Sequence, residues 1–311
     1  MRGAGKVMMR SRGVIGAVLL AAAAATTAGA AQNEGVRVKG KSWFCTSGVG
    51  QQLERQAIVQ YSRMISAAQS KRAVLPQDHP QVRRLHAIAQ RIIPFVKDPK
   101  WRARTEGWSW EINLINSPQL NAFCMPGGKI AFFAGIIDKL QLNDDEIAMV
   151  MGHEMAHALR EHACGRYGKS RALSVTAGVL TQLLGLGDLG QAGTEAAVQL
   201  LTLRFSRKDE TEADLVGLEL AARAGFDPRA GISLWQKMSL ANRAAPPQWL
   251  STHPSGQSRI AEIRRQLPLV LPIYARAVGK DPKNLHDYVS NVEHLTGTLP
   301  QSRRPAQTGK E

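Results

Sequence analysis

Acidic and aromatic residues are scarce in this sequence. Its 311 residues include 25 Asp and Glu against 40 Lys and Arg, which gives a formal net charge of +15, and aromatic residues account for 5%. The basic residues are scattered, and they form neither a dense stripe interleaved with aromatic residues nor a nucleic-acid-binding motif. We therefore expect no nucleic-acid partner. We interpret the charge as a solvated basic surface that can contact anionic lipid or other polyanions.

Apolar runs long enough to cross a membrane several times are also lacking, and the N-terminal run has a different character. Residues 1–12 are basic without an acid, residues 13–28 are apolar, and Ala28-Gly29-Ala30 supplies small residues. This order is typical of a cleavable secretory signal peptide. An uncleaved anchor is the alternative, because the apolar run approaches the roughly 20 residues of a membrane span. We predict a signal peptide over residues 1–30, a leader over residues 31–50 and a periplasmic location.

Cysteine is nearly absent, with Cys45, Cys124 and Cys164 as its three occurrences. No pair of them has the spacing of a metal-binding motif. An oxidising compartment permits one disulfide and leaves one thiol over, and all three pairings stay open. The alternative is that the cysteines are small buried apolar residues.

Most of the chain has the periodicity of helices, and one stretch has that of strands. Residues 108–115 alternate with period two, while residues 122–124 and 129–133 flank a Pro-Gly-Gly turn, which predicts a small sheet with a hairpin. Residues 171–203 predict a helical hairpin, and whether it forms a lid or touches a membrane stays open. The fold class is therefore α+β and predominantly helical. Further helices are predicted at about 51–73, 80–93, 144–162, 195–224, 229–242 and 258–266.

One short string carries metal chemistry: His153-Glu154-x-x-His157, an H-E-x-x-H sequence. Residues four apart lie nearly above one another on an α-helix, so both imidazoles can hold the same cation. Glu154 lies beside them, where it can accept a proton from the attacking water without binding the metal. His162, five residues after His157, is expected to point elsewhere. The alternative for the whole string is a packed pair of polar histidines.

A catalytic zinc site takes three protein ligands, so a further ligand is expected on another helix. The acidic stretch that follows Lys208 contains Glu210 and Glu212, which lie about 200° apart around a helix, so that only one can face the metal. Glu210 is favoured, because Asp214 follows it at i+4 and can accept a hydrogen bond from the far nitrogen of a ligand histidine. The alternative is an exposed acidic face with basic neighbours.

These motifs resemble those of the gluzincin metallopeptidases of the HtpX and CAAX-prenyl-protease type, and especially their soluble periplasmic members of the BepA and LoiP kind. The resemblance extends over about residues 50–270. It rests on His153-Glu154-x-x-His157 with Glu210-x-x-Ala213-Asp214, on Asn121-Ala122-Phe123-x-x-Pro126-Gly127-Gly128, on Phe205-Ser206-Arg207, on Ala224-Gly225-Phe226-Asp227-Pro228, and on Thr252-His253-Pro254 with Arg259.

The resemblance implies a zincin-like metallopeptidase domain over residues 51–270, with an active-site helix that carries H-E-x-x-H. It implies one zinc ion per chain, with His153, His157 and Glu210 as ligands and Asp214 behind them. Residues 271–311 would form a C-terminal extension, predicted to be disordered from about residue 300.

The resemblance also implies roles outside the two motifs. Asn121, Ala122 and Phe123 are expected at an exposed sheet edge beside the cleft, where an extended substrate can bind through main-chain hydrogen bonds. His253 is expected near the active site, either as a donor to the oxyanion or as an occupant of zinc's open position in a resting enzyme. Arg259 is expected as a donor to the oxyanion or to a substrate carboxylate.

Together these observations predict a zinc-dependent endopeptidase of the bacterial periplasm that hydrolyses peptide bonds of misfolded or envelope proteins. Expected partners are unfolded polypeptides, with a peripheral contact to the membrane or to the outer-membrane assembly machinery. One alternative is a chaperone-like assembly factor with latent or no proteolysis, which the intact Glu154 disfavours. A membrane-integrated protease lacks its apolar spans here. A polyanion-binding protein would leave both motifs as coincidences.

Overall fold

The computed structural model describes residues 34–38, 45, 48, 50–101, 105–167, 204–244, 248–253 and 257–296. The predicted signal peptide, most of the leader, the predicted hairpin at 171–203 and the tail from residue 300 lie outside the described residues. The chain divides into two compact units, residues 1–35 and residues 36–311. The contacts given below lie within the second unit.

Helices make up most of the described chain, as the sequence predicts. None of them combines the length and the apolarity that a membrane crossing requires. Short 3-10 helices occupy Ile93–Lys97, Pro99–Trp101 and Pro282–Asn284. The strands are β1 (Glu111–Ile115), β2 (Ala122–Met125) and β3 (Lys129–Phe133). The α-helices are α1 (Gly50–Ser70), α2 (Pro80–Ile92), α3 (Ala134–Lys139), α4 (Asp144–Leu159), α5 (His162–Tyr167), α6 (Arg207–Arg223), α7 (Ala230–Ala244), α8 (Gln248–Thr252), α9 (Gln257–Ala277) and α10 (Val292–Thr296).

The three strands form one small mixed sheet in the order β1–β3–β2. β1 runs parallel to β3, and β2 runs antiparallel to β3 with Ala122 opposite Phe132. The predicted hairpin is therefore confirmed. Its turn contains Gly127 and Gly128 with φ values of 87° and 76°, in the left-handed region that favours glycine. β2 is thus an edge strand of the described sheet, and it packs beside α4.

α4 is the central helix of the described core, in contact with α2, α6, α7 and β2. A capping box begins it: the side chains of Asn143 and Glu146 each bond the other residue's backbone N–H, at 2.9 and 3.0 Å. Residues 147–159 are all buried, so this helix has no solvent face. It ends there and not at the predicted His162, because Glu161 adopts a left-handed φ of 54° that turns the chain.

Ser206 begins α6. Its hydroxyl accepts a hydrogen bond from the backbone N–H of Asp209 at 3.2 Å, and the Asp209 carboxylate accepts one from the N–H of Ser206 at 2.9 Å. The prediction of one unbroken helix from about 195 to 224 was therefore wrong near its start, since residues 204–206 are not helical. The serine and the acid three residues later are a helix-start signal that apolar periodicity alone does not report.

The helices α4 and α6 cross at a pair of glycines. A Cβ added to Gly217 would lie 2.6 Å from His153 N, and one added to Gly152 would lie 2.8 Å from Gly217 O. Both distances are far below ordinary van der Waals contact, so the two backbones touch. The absence of both side chains lets the facing residues His153 and Asp214 approach one another.

The chain beyond residue 266 continues to pack on the core. α9 extends to Ala277 through Pro268 and Pro272, so the prediction of a helix end near residue 266 was wrong. A proline removes one helical hydrogen bond, but burial of Val270 and Ile273 on one face of α9 outweighs this cost. α9 thus crosses the predicted domain boundary at residue 270, and Leu295 in α10 is also fully buried.

A disulfide joins Cys45 to Cys164, with the two Cα atoms 5.9 Å apart. Cys124 is the remaining thiol, and burial raises its pKa well above the usual value. Of the three pairings that the sequence leaves open, the tertiary structure selects this one. It ties the segment before α1 to α5, directly after the helix that carries the H-E-x-x-H residues.

Candidate metal centre

Three elements bring four metal-binding side chains together. His153 and His157 project from α4, Glu210 from α6, and His253 follows the last residue of α8. All four are buried, and one ligand atom from each lies within 4.8 Å of the others. The sequence names three of these as zinc ligands, and the structure places the fourth, His253, among them.

The distances within the group converge on one small volume. His157 Nε2 lies 3.1 Å from His153 Nε2, and the two carboxylate oxygens of Glu210 lie 3.5 Å and 3.6 Å from these nitrogens. His253 Nδ1 lies 3.2 Å from His153 Nε2 and 3.1 Å from Glu210 Oε1. Imidazole nitrogens with one carboxylate form a donor set that zinc accepts. The residues present therefore fit a single zinc ion.

Asp214 and Arg259 support the ligands from behind. Asp214 Oδ1 lies 3.1 Å from His153 Nδ1, as the spacing on α6 predicts. Arg259 donates to both oxygens of Asp214 and to Glu210 Oε2, each at 2.6 Å. Its guanidinium also lies 3.6 Å above the ring of Trp235. Arg259 is 5% exposed, so the structure places it among the ligands' supports, and its expected contact with substrate stays a prediction.

The electrostatics keep the acids ionised. Burial alone would raise the pKa of Asp214, but the charge of Arg259 and its hydrogen bonds with Arg259 and His153 lower that pKa to about 2. Burial opposes ionisation of Glu210 as well, and the neighbouring His253, His153 and Arg259 outweigh it, so its pKa also lies below the usual value.

The surroundings shift the pKa values of His157 and His253 in opposite directions. Burial lowers the pKa of His157 well below the usual value, and the adjacent histidines lower it further. The neutral imidazole is the form that binds a metal. Burial would lower the pKa of His253 too, but Glu154 and Glu210 outweigh it and raise that pKa. A bound cation reverses this preference, because it repels a proton on the same nitrogen.

The other side of His157 carries contacts that the sequence motifs do not predict. His162 Nδ1 lies 3.0 Å from His157 Nδ1, and His162 Nε2 lies 3.0 Å from Glu212 Oε2. The expectation that His162 points elsewhere was therefore wrong. The left-handed turn at Glu161 directs His162 back toward the centre. A glutamate in the sequence does not indicate a left-handed backbone conformation, which is uncommon for residues other than glycine. Glu212, which competes with Glu210 as a ligand in the sequence, lies outside the group of four.

A tryptophan holds the predicted base. Trp249 Nε1 donates a hydrogen bond of 2.6 Å to Glu154 Oε1, and His253 Nε2 lies 3.6 Å from the same oxygen. Trp249 belongs to none of the sequence motifs named above. A usable signal was its spacing, because Trp249 stands four residues before His253 and would share a helix face with it.

A cleft opens beside the group. Asn121, Ala122 and Phe123 line one side of it, and Glu154 and His157 line another. The structure therefore brings the predicted substrate-binding residues next to the predicted catalytic ones. α8 closes one end, since Trp249 N bonds Leu120 O at 3.1 Å and Phe205 N bonds Thr252 O at 3.1 Å.

Residues 79–267 match the sequence profile of peptidase family M48. The chain belongs to this family. Zinc is the metal that its members use, and the group of four residues provides for one ion. The resemblance to gluzincins and the predicted zinc cofactor are thereby confirmed.

The curated relatives that the chain matches are named as metalloendopeptidases or proteases. The mitochondrial metalloendopeptidase OMA1 of Arabidopsis thaliana is 42% identical over 166 residues, which cover 52% of this chain and 33% of that protein. The OMA1 of Saccharomyces cerevisiae is 33% identical over 219 residues, 67% of this chain and 62% of that one. The β-barrel assembly-enhancing protease of Escherichia coli is 30% identical over 174 residues, 53% of this chain and 36% of that one. The chain thus matches less than two thirds of each relative's length.

Proposed function

We propose that this protein is a zinc-dependent endopeptidase that hydrolyses peptide bonds of misfolded or envelope proteins in the bacterial periplasm. One observation carries the proposal: the buried group of His153, His157 and Glu210 lies beside an open cleft, with the Glu154 carboxylate next to it. The names of the relatives as metalloendopeptidases and proteases support the reaction type.

His153, His157 and Glu210 would hold the metal, in the arrangement of three protein ligands that catalytic zinc sites use. When bound, zinc lowers the pKa of water to about 7 and polarises the substrate carbonyl. Asp214 fixes the tautomer of His153, since a carboxylate at its Nδ1 leaves Nε2 free to face the ligand group. Arg259 holds Asp214 and Glu210 in place.

Glu154 acts as the general base. It accepts the proton of the attacking water and then passes it to the leaving amine, without a covalent enzyme intermediate. Trp249 orients its carboxylate, because the indole N–H donates to one oxygen and leaves the other to meet the water. Both residues are almost completely buried, so this hydrogen bond is shielded from competing solvent.

The substrate would bind as an extended strand along β2. Ala122 and Phe123 lie on this edge strand of the described sheet, Asn121 directly precedes it, and all three line the cleft. Main-chain hydrogen bonds at a strand edge give affinity with little dependence on side chains. Such binding suits an enzyme that takes unfolded polypeptides of varied sequence.

His253 is best explained as an occupant of zinc's open position in a resting enzyme. Its Nδ1 lies inside the ligand group, 3.1 Å from Glu210 Oε1 and 3.2 Å from His153 Nε2. The same short helix sets Trp249 on the base. A shift of His253, which follows the last residue of α8, would open the metal position while Trp249 keeps its contact with Glu154.

A chaperone-like assembly factor with latent proteolysis is the second candidate. The closed arrangement around His253 favours latency, and one group of relatives is named β-barrel assembly-enhancing protease. The signal-peptide pattern of residues 1–30 and the basic composition support a periplasmic location with a peripheral membrane or outer-membrane assembly contact. The OMA1 relatives are named as mitochondrial proteins.

The test is to measure bound zinc and casein cleavage for the full chain and for Glu154→Gln. One zinc per chain in both proteins, with cleavage by the wild type alone, would support the proposal. Glu262→Gln is the matched control and should cleave normally, because this carboxylate bonds Arg265 and Gln266 of its own helix. Zinc in both without cleavage in either would favour the latent factor, and His253→Ala should then restore cleavage. Absence of zinc from the folded wild type would refute the proposal.

A further inference from the structure

The face of His157 that points away from the ligand group ends on a chain of polar side chains. His162 Nδ1 lies 3.0 Å from His157 Nδ1, and His162 Nε2 lies 3.0 Å from Glu212 Oε2. We propose that His162 and Glu212 are positioning residues, which set the tautomer and the orientation of His157 for metal binding. This inference rests on the proposed function, because it takes His157 as a zinc ligand.

The direction of the hydrogen bonds follows from what each group can donate. Arg160 donates to Glu212 Oε1 from Nε and Nη2, at 3.2 and 3.0 Å, so this carboxylate serves as an acceptor. The proton between Glu212 and His162 therefore belongs to His162 Nε2. A neutral imidazole carries one N–H, so His162 Nδ1 is an acceptor and His157 must donate from Nδ1.

The imidazole lone pair of His157 is thereby left on Nε2, the nitrogen that faces the other two proposed metal ligands. Nε2 lies 3.1 Å from His153 Nε2 and 3.5 Å from Glu210 Oε1. His153 reaches the same tautomer through a direct contact of its Nδ1 with Asp214. Each ligand histidine thus has a carboxylate behind it, one in direct contact and the other through an intervening imidazole.

The chain of contacts is buried and anchored at its far end. Arg160 and His162 are 5% and 7% exposed, and Arg160 Nη1 also donates to Trp101 O at 2.5 Å. Phe205 packs against the ring of His157, with the centroids 3.9 Å apart. Rotation of His157 about its side-chain bonds would break these contacts, so its ring is held before any metal arrives. Outer hydrogen bonds of this kind change metal affinity by about 10- to 100-fold in other proteins.

Zinc affinity of the full chain, measured by competition with a chromophoric chelator, tests the proposal. His162→Leu removes the acceptor and should weaken zinc binding by about 10- to 100-fold. His162→Gln should stay within about threefold of the wild type, because the amide oxygen can accept from His157 while the amide nitrogen donates to Glu212. His86→Leu is the matched control: His86 is a half-buried histidine whose Nε2 contacts Ile112 O on β1, at the opposite edge of the described sheet from β2, and its loss should leave zinc affinity unchanged.

Two further measurements separate positioning from general stability. The ¹⁵N shifts of His157 in the metal-free protein should report a single Nδ1–H tautomer in the wild type and a tautomer mixture in His162→Leu. Glu212→Gln should also weaken zinc binding, since one amide oxygen cannot serve both Arg160 and His162. When His162→Leu is already present, Glu212→Gln should weaken zinc binding no further, because the effects of residues that act as one unit are not additive.

Each outcome decides between the two proposals. Equal zinc affinity for His162→Leu and wild type, or an Nε2–H tautomer of His157 in the wild type, would overturn the positioning role and leave the proposed function standing. Weakened zinc binding in His162→Leu together with an inactive wild type would support the positioning role and count against the peptidase. A wild type that takes up no zinc would overturn both.

Discussion

The glycine pair at the crossing of α4 and α6 provides the sharpest test of how the fold builds the metal centre. We predict that Gly217→Ala destabilises the protein and weakens zinc binding. A Cβ at this position would lie 2.6 Å from His153 N and 2.7 Å from Gly152 C, whereas ordinary contacts begin at 3.4 Å. The neighbouring atoms are helix backbone and cannot rotate aside. The helices must therefore separate by roughly 3.4 − 2.6 = 0.8 Å.

Two opposing effects determine the free energy of unfolding. Alanine is a better helix former than glycine by about 1 kcal/mol, while overpacking of a rigid core costs about 1–3 kcal/mol. Because the obstructing atoms are backbone, the upper part of that range applies, and a net loss of about 2 kcal/mol remains. For a domain of this size such a loss lowers Tm by about 4–8 °C.

The effect on the site should exceed the effect on stability. His153 stands on one helix, and Glu210 and Asp214 on the other, so a separation of the helices lengthens the distances between ligands. A displacement of about 1 Å at a catalytic group can reduce the rate about 100-fold. We therefore expect Gly217→Ala to lose most of its cleavage activity at a temperature where it is still folded.

The assay is thermal unfolding of the metal-free protein followed by zinc titration and casein cleavage. Gly165→Ala is the matched control, since Gly165 lies in α5 and a Cβ there would have no neighbour within 4 Å. That variant should raise Tm or leave it unchanged. An unchanged unfolding temperature and unchanged zinc affinity of Gly217→Ala would refute the close crossing of the two helices.

Three other perturbations should respond as follows. Lys237→Met should lower the free energy of unfolding in urea by about 3–5 kcal/mol, because Lys237 and Glu146 form a fully buried ion pair at 2.6 Å and the carboxylate would lose its cation; a loss below about 1 kcal/mol would contradict this reading. Cys45→Ser should cost about 2–5 kcal/mol, since its bond to Cys164 closes a loop with a sequence separation of 119, whereas Cys124→Ser should change stability far less; equal effects would argue against this pairing. Chelation of zinc should abolish cleavage and lower Tm, because a ligand held at 1,000 times its Kd stabilises the native state by about 4 kcal/mol, and one equivalent of zinc should restore both; cleavage that survives chelation would exclude a zinc mechanism.

Much of the fold was readable from local patterns. The alternation before Ile115 and the Pro-Gly-Gly turn predicted the small sheet and its hairpin, because strand period and turn chemistry are local properties. Helix ends were less predictable. The end of α4 depends on the left-handed Glu161, and the extent of α9 beyond Pro268 depends on burial of residues that only the assembled core provides.

The residues of the candidate site also differ in how far local patterns predict them. The spacing of His153 and His157 required a helix and nothing else. The i, i+4 spacing on a second helix favoured Glu210 with Asp214, the resemblance strengthened this choice, and the structure places both residues beside the histidines. Residues that act from other elements escaped notice. His162 turns back toward the centre and Trp249 reaches the base from α8. The i, i+4 spacing of Trp249 and His253 indicates a shared helix face, but it does not report that this face meets Glu154.

What the sequence determined by itself was the chemistry: an H-E-x-x-H helix, a second acidic helix, a strand edge and a zinc peptidase family. Periodicity and i, i+4 spacing suffice for this, since they act within one element. The tertiary structure alone decided the disulfide pairing, the approach of α4 to α6 at two glycines, and the contacts of His162, Glu212 and Trp249. Those features join residues that are distant along the chain, and their geometry depends on how whole helices pack, which no local pattern encodes.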